Sequence, residues 1–420
     1  MTFNNFTVFF LVMFVAHAGV ELWLEFLQAR HLAKRKDRVP SHLEGKVDIE
    51  TIRKAVAYSR EKLRFRVVSR FWDAIFLMGL VFSGFALWEN MVASLEFGSI
   101  KSGLVFFVGL GFAGAVWGMP QELYFTFVIE KRHGFNRQTL SSFFMDKLKG
   151  GIVSLIMMGG LLSLVLITME ETGKLWWLIA FGVVTLVQLL ISWLYPVLIM
   201  PIFNKFVPVD KSLEKDVDAL AAKVGFPLKQ VVSMDGSKRS SHSNAFIVGL
   251  FGARRIVLYD TLVEKLSRQK LIAVLAHELG HFKLGHIRIR LAMMIAGLLG
   301  VFAIIGWIAS YPAASAGLGF KLSTSYAGLI AAGLLISEAL FPVAWILRVF
   351  SRRDEYAADR FAVEAVENKT DLLDALVELS KQNLSSPGSH RYYRGYYNTH
   401  PALKDRLAAI PKVHVRQEQQ

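Results

Sequence analysis

Cysteine is absent from the 420-residue chain, which excludes disulfides and thiolate metal ligands and suits a reducing compartment. Interleaved aromatic and basic residues and nucleic-acid-binding motifs are absent too, so the net charge of +14 needs another reading. A basic face against anionic lipid headgroups is sufficient, and no nucleic-acid partner is expected. The first apolar run lacks the basic start of a signal peptide, and Glu21 and Glu25 stand where small residues would mark a cleavage site. It is expected to stay on the chain. The last residues, Arg416 to Gln420, carry no retrieval signal, and no lipidation motif is present.

What the chain has in quantity is apolar sequence. Hydrophobic residues make up 53% of it, and the mean hydropathy is +0.40. Several runs reach the roughly 20 residues that cross a hydrocarbon core. Seven spans are expected: Thr7 to Leu24, Phe71 to Trp88, Gly103 to Trp117, Ile152 to Thr168, Leu175 to Met200, Leu291 to Ser310 and Tyr326 to Phe350. The third ends near Pro120 and is expected to continue, bent, through Phe125-Thr126-Phe127. Arg30 to Arg70 holds 13 Lys and Arg, whereas Glu89 to Ser102, Glu170 to Lys174 and Tyr311 to Ser325 hold one Lys each. By the positive-inside rule the N-terminus lies outside and the C-terminus in the cytosol.

His277-Glu278-Leu279-Gly280-His281 is an HExxH motif. Histidines four apart share a helical face, so both imidazoles can reach one Zn²⁺. Glu278 then points near the metal without binding it, where a general base would take a proton from a water activated by the ion. Leu271, Ile272, Val274, Leu275 and Leu279 give the helix an apolar side, Ser267 can cap its start, and Gly280 permits close packing. The helix is expected to run straight into the sixth span. His286 reads as an ordinary interfacial histidine.

A catalytic zinc takes three protein ligands and leaves a position for water, so one more donor is needed. In Ser351 to Asp359, Glu355 and Asp359 share a helical face, which suits a ligand carboxylate and a second carboxylate that orients a zinc histidine. The segment 201–290 reads as the main soluble domain: a helix from Leu213 to Val224, then strands at Gln230 to Met234, Ala245 to Val248 and Arg255 to Tyr259. Gly249 and Gly252 punctuate the last two as a hairpin. Asn244 to Val248, as an edge strand, could hold an extended peptide by backbone pairing, or serve only as scaffold. His17 and Glu21, four apart in the first span, read as interfacial rather than chamber-lining. The Tyr392-Tyr393-Arg394-Gly395-Tyr396-Tyr397 cluster reads as an interfacial or domain-packing surface.

His277 to His281, the Glu355/Asp359 pair, Ser243-Asn244-Ala245-Phe246, Pro201 to Phe206, Lys131 to Asn136, and Thr399-His400-Pro401 followed by Arg406 together resemble the type I CAAX prenyl proteases. The likeness spans most of the chain. It implies an all-α integral-membrane protein in which seven transmembrane helices enclose a chamber, with a cytosolic α+β gluzincin-like metalloprotease domain. It implies one Zn²⁺ per chain on His277, His281 and Glu355, with Glu278 as base and Asp359 behind a ligand. It further implies that Asn244, His400 and Arg406 face the substrate cleft, His400 stabilising the developing oxyanion, and Ala245 and Phe246 of the expected edge strand join them as substrate-binding residues by backbone pairing.

The expected division is 1–200 for spans one to five with the basic loop 28–70, 201–290 for the HExxH segment, 291–350 for spans six and seven, and 351–420 for the C-terminal region. The expected partners are the lipid bilayer and a peptide or protein substrate, prenylated or not. Three functions follow. One is a CaaX-type protease, another a broader membrane-protein quality-control endopeptidase. The third is a transporter or scaffold with structural zinc, against which the intact Glu278 argues. A bacterial-type inner membrane is expected ahead of an endoplasmic reticulum.

Overall fold

The computed structural model describes residues 2–249 and 254–417, with side chains to residue 410. Gly252 of the expected hairpin and Glu418 to Gln420 of the C-terminal segment lie outside the described residues. Five long helices open the chain: α1 (Asn5–Ala33), α2 (Ile49–Ala93), α3 (Ser99–Glu130), α4 (Leu140–Glu171) and α5 (Gly173–Phe203). Side-chain caps fix several starts. Asn4 accepts from the amides of Phe6 and Thr7, Asp48 from that of Thr51, and Thr139 from that of Ser142.

A helix rises about 1.5 Å per residue, so the 45 residues of α2 run to about 67 Å, more than twice a hydrocarbon core of about 30 Å. Its basic first half therefore stands outside the bilayer. The third expected span does continue through Pro120 to Glu130, loosening into a wider helical turn over Phe125–Glu130. Pro120 removes one ladder donor, and the wide turn follows directly.

The soluble domain begins with β1 (Phe206–Pro208), α6 (Lys211–Val224), β2 (Leu228–Met234), β3 (Ala245–Val248) and β4 (Arg254–Tyr259). The strands form one sheet in the order β1-β2-β4-β3. β2 and β4 are parallel, and β3 pairs antiparallel with β4 in the register Ala245↔Leu258 to Val248↔Arg255. β3 is thus an edge strand, as expected. β1 is three residues long and escapes a sequence pattern altogether.

Next come α7 (Asp260–Lys265), α8 (Arg268–Lys283), α9 (His286–Ala309) and α10 (Pro312–Gly317). α11 (Ser325–Ala339), α12 (Phe341–Ala365), α13 (Thr370–Gln382), α14 (Arg391–Tyr397) and α15 (Leu403–Gln417) complete the chain. The HExxH helix does not run straight into the sixth span. It ends at Lys283, and Gly285, at φ +75°, turns the chain before α9 begins. A left-handed residue cannot continue a helix, and glycine takes it at least cost. Ser267 stands at the cap position of α8, but its side chain makes no capping bond.

The seventh span also differs from the expectation. Tyr326 to Phe350 is a pair of helices, α11 and α12, bent by 57° at Leu340. Pro342 sits in the first turn of α12, where its missing N–H is harmless but its ring blocks an unbroken run from α11. Among the described residues six helices are long and apolar enough to cross a membrane, or seven with this pair as one span.

The two largest apolar cores among the described residues lie one in each part. In the soluble domain, Leu275, Ala276 and Leu279 of α8 are sealed against Ala362 and Val363 of α12 and against Val217 and Leu220 of α6. In the bundle, Phe10, Phe85, Phe106 and Leu318 pack together. A cavity of about 1940 Å³ lies between the long helices, with Phe14 and His17 of α1, Leu77 of α2, Phe107 of α3 and Leu155 of α4 among its walls.

Candidate metal centre

Three elements bring the site together. α8 supplies His277 and His281, α12 supplies Glu355 and Asp359, and the segment from α14 into α15 supplies His400 and Arg406. The α8–α12 approach is close because position 280 has no side chain. A Cβ there would stand 3.3 Å from both Cα and the carbonyl oxygen of Ala358. Gly280 therefore sets the distance between the two helices that carry the ligands.

His277 Nε2 and His281 Nε2 are 3.3 Å apart, His277 Nε2 is 3.5 Å from Glu355 Oε2, and His281 Nε2 is 3.3 Å from Glu355 Oε1. A tetrahedral metal with bonds of about 2.0–2.2 Å places its donors about 3.3–3.5 Å apart, so these residues fit such an ion without rearrangement. The chemistry of the donors agrees. Glu355 is only 3% exposed, and its Oε2 has no hydrogen-bond donor even though His400 Nδ1 lies 2.6 Å away, in an alignment that makes no hydrogen bond. A buried carboxylate oxygen left without a donor is costly unless a cation meets it.

Each histidine is held by its other ring nitrogen. His277 Nδ1 lies 2.9 Å from Asp359 Oδ1, and Asp359 in turn accepts from Arg406 Nε at 2.8 Å and Nη2 at 2.5 Å. The carboxylate fixes the tautomer that leaves Nε2 free for a metal. Burial lowers the His277 pKa, but the Asp359 and Glu355 carboxylates more than offset it and raise it to about 9. His281 Nδ1 lies 3.0 Å from His286 Nδ1, and His286 Nε2 is 3.8 Å from Asp354, which Arg290 grips at 2.9 Å. His286 is therefore a buried partner of His281, not the interfacial histidine its sequence position suggests.

Glu278 is in the same site but outside this ligand set, and burial pushes its carboxyl up. Arg406 departs from the expectation that it faces substrate. It is 9% exposed, with two nitrogens committed to Asp359, because a buried carboxylate beside a histidine needs a second, permanent cation. His400 is exposed, at 63% of its side chain, and faces the open side of Glu355. Asn244 is exposed at the head of β3, while Ala245 is buried in the soluble core and Phe246 packs near Met200 and Val257.

Comparison with known proteins gives a consistent result. A family model described as the CAAX prenyl protease N-terminal region, with five membrane helices, matches residues 28–205, and the model of peptidase family M48 matches 209–414. The chain belongs to the CAAX prenyl protease family. It is 33% identical to "CAAX prenyl protease 1" of Saccharomyces cerevisiae over 95% of this chain and 94% of that one. It is 34% identical to "CAAX prenyl protease 1 homolog" of Arabidopsis thaliana over 92% and 93% of the two chains. The crystal structure of S. mikatae Ste24p superposes with a TM-score of 0.90 at 30% identity, covering 98% of this chain and all of that one. The chain is thus a multi-pass membrane metallopeptidase acting on peptide or protein substrates, and the transporter or scaffold reading is closed.

The large cavity is not walled by the metal cluster. α14 joins the two regions: Tyr396 Oη lies 3.3 Å from His17 Nε2 and Tyr397 Oη donates to Glu21, while Asn398 to His400 lead on to Glu355. His17 and Glu21 line the cavity, against the interfacial reading, and His17 Nδ1 meets Glu338 of α11 at 2.9 Å. The tyrosine cluster is a packing surface between membrane and soluble parts. Three features escape the sequence reading: the partnership of His286 with His281, the grip of Arg290 on Asp354, and the Tyr58–Glu130–His242 contact that ties α2 and α3 to the segment before β3. For His286 a signal existed, since position i+5 from His281 becomes a neighbour once Gly285 ends the helix.

Proposed function

We propose that this chain is a zinc-dependent endopeptidase that cuts near the C-terminus of prenylated CaaX-type substrates. The observation that carries the reading is the tetrahedral spacing of His277, His281 and Glu355 beside Glu278, an acid with no ligand task. The substrate class comes from the names of the relatives. The apolar walls of the 1940 Å³ cavity support it by offering room for a lipid chain. The assignment of zinc rests on the donor set of two imidazoles and one carboxylate, which zinc commonly accepts.

When bound, zinc supplies Lewis acidity and brings the pKa of an adjacent water to about 7. Glu278 takes the proton of the attacking water and returns it to the leaving amine, and the burial that raises its carboxyl readies it to hold that proton in between. His400, open on the substrate side, donates to the oxyanion that develops on the scissile carbonyl. Asn244, Ala245 and Phe246 hold an extended substrate by backbone pairing at the free edge of β3, so the buried Ala245 side chain is no obstacle. Arg406 works behind them, through Asp359.

The soluble part is assigned to the cytosol and the N-terminus to the outside, on the strength of the 13 Lys and Arg between Arg30 and Arg70. Membrane and soluble segments interleave as 1–200, 201–290, 291–350 and 351–420. The relatives include yeast, plant and mammalian proteins and lend no support to a bacterial inner membrane. The test is cleavage of two matched peptides, one farnesylated at a CaaX cysteine and one unmodified, with Glu278→Gln and a zinc chelator as controls. Cleavage of the farnesylated peptide alone is expected. Equal cleavage of both would replace this reading with the broader membrane endopeptidase.

A further inference from the structure

A second cavity, of about 710 Å³, lies between α2 and α3 and plays no part in the chemistry above. Trp72 lines its membrane end and stacks on Trp117, with the rings 4.5 Å apart and the indole N–H groups donating to each other's backbone carbonyls at 3.0 and 3.2 Å. Val68, Phe65, Pro120 and Tyr124 make its walls apolar. Its mouth is lined by four charged side chains: Arg60, Glu61, Arg64 and Arg132.

The charges at the mouth do not cancel. Glu61 is engaged by Arg132 and by His133 at 2.8 Å. Arg60 and Arg64 have no hydrogen-bond or ion-pair partner among the described residues, and Arg60 is only partly exposed. At i and i+4 they share a helical face, where two like charges repel unless an anion sits between them. Their depth is also informative. Arg64 to Trp72 is eight residues, or about 12 Å of helix, so the arginines stand at headgroup level while the apolar walls reach into hydrocarbon.

We propose that this groove binds one anionic phospholipid from the leaflet on the catalytic side. The phosphate lies between Arg60 and Arg64, and an acyl chain lies along Val68, Trp72 and Tyr124. Charge complementarity selects a lipid over an uncharged apolar occupant, because a hydrocarbon chain alone would leave both guanidinium groups unpaired. Phe65, Ser69 and Gln121 line this groove and the large cavity alike, so the lipid forms part of the lateral wall of the chamber.

The test uses the full-length protein reconstituted in vesicles of mixed phosphatidylglycerol and phosphatidylcholine, with retained lipid counted by native mass spectrometry. Wild type should keep one phosphatidylglycerol with a preference of about tenfold to thirtyfold over phosphatidylcholine, as two arginines near a surface provide. Arg60→Gln with Arg64→Gln should abolish the preference, whereas the double Lys substitution should keep most of it. Val68→Trp, which fills the acyl groove and leaves the charges intact, should expel the lipid and serves as the second arm should the double Gln protein fail to fold. Millimolar inorganic phosphate should not displace it. The proposal fails if phosphatidylcholine is retained equally, if the Gln variants keep the preference, or if phosphate alone competes. It also fails if a farnesylated peptide displaces the lipid, which would assign the groove to substrate.

Discussion

Gly280→Ala tests whether the contact between α8 and α12 sets the geometry of the metal site. The added Cβ would meet Phe361 Cδ1 at 3.0 Å and two backbone atoms of Ala358 at 3.3 Å. The phenyl ring can turn aside, but the backbone cannot. α8 must then retreat by a few tenths of an ångström, across the same gap that separates the His277 and His281 nitrogens from Glu355 at 3.3 to 3.5 Å. Overpacking of this kind costs about 1–3 kcal/mol. Alanine recovers about 1 kcal/mol of helix propensity, so net stability falls by about 0–2 kcal/mol. The metal feels only the displacement, and its affinity should fall about tenfold or more. Gly297→Ala, on α9 where a Cβ meets open space, is the control. It gains the propensity without the clash, so the two variants should differ by about 1–3 kcal/mol. Thermal denaturation in detergent and competition with a chelator read both quantities. Equal metal affinity in the two variants would refute the reasoning.

Glu278→Gln should retain its metal while turnover drops by at least about 10²–10⁴-fold, measured on a farnesylated peptide with metal content checked in parallel. Metal loading should depend steeply on pH, because a proton and the metal compete for His277 Nε2. Affinity should rise about tenfold per pH unit up to about 9 and then level off. The metal-free protein should respond in the opposite sense. The stability contributed by the raised His277 is complete below about 6.5 and is lost as pH rises through about 9, visible as a falling unfolding midpoint. His286→Ala should weaken metal binding about tenfold by removing the acceptor for His281 Nδ1, with a smaller loss in His286→Gln, and an unchanged affinity in both would show that contact to be idle.

What was legible in the sequence is what short-range periodicity records. His277 and His281 share a face because 3.6 residues make a turn, and Glu355 and Asp359 follow the same rule on α12. β3 was found at its observed bounds because Gly249 marks its end. What was not legible depends on how separate elements meet. Nothing local to Arg406 distinguishes an arginine facing substrate from one buried against Asp359, since the choice is made by α15 packing over α12. The break at Gly285 was visible as a glycine, yet its consequence, turning His286 back onto His281, required the direction that α9 takes. The bend at Leu340 was obscured because hydropathy counts residues and not their axis, and Pro342 alone permits either a kink or a helix start.

The same dependence on packing links the chamber to the chemistry. Arg352 of α12 donates to the carbonyls of Gly395 and Asn398 at 3.2 and 3.1 Å, and Arg348 donates to that of Tyr397 at 3.2 Å. These carbonyls close the end of α14, so the helix that presents Glu355 also fixes the turn leading to His400. On the opposite side of that turn, Tyr396 and Tyr397 reach His17 and Glu21 in the chamber wall. α14 is therefore in contact with α1 through the two tyrosines and, by way of His17, with Glu338 of α11, while the metal donors are placed by the α8–α12 contact. The ligands sit on two helices locked at Gly280, and the His400 side chain sits on a strap shared between the catalytic helix and the membrane bundle. The proposed oxyanion donor is thus tied through α14 to the chamber wall, whereas the spacing of the metal donors is set at the α8–α12 contact.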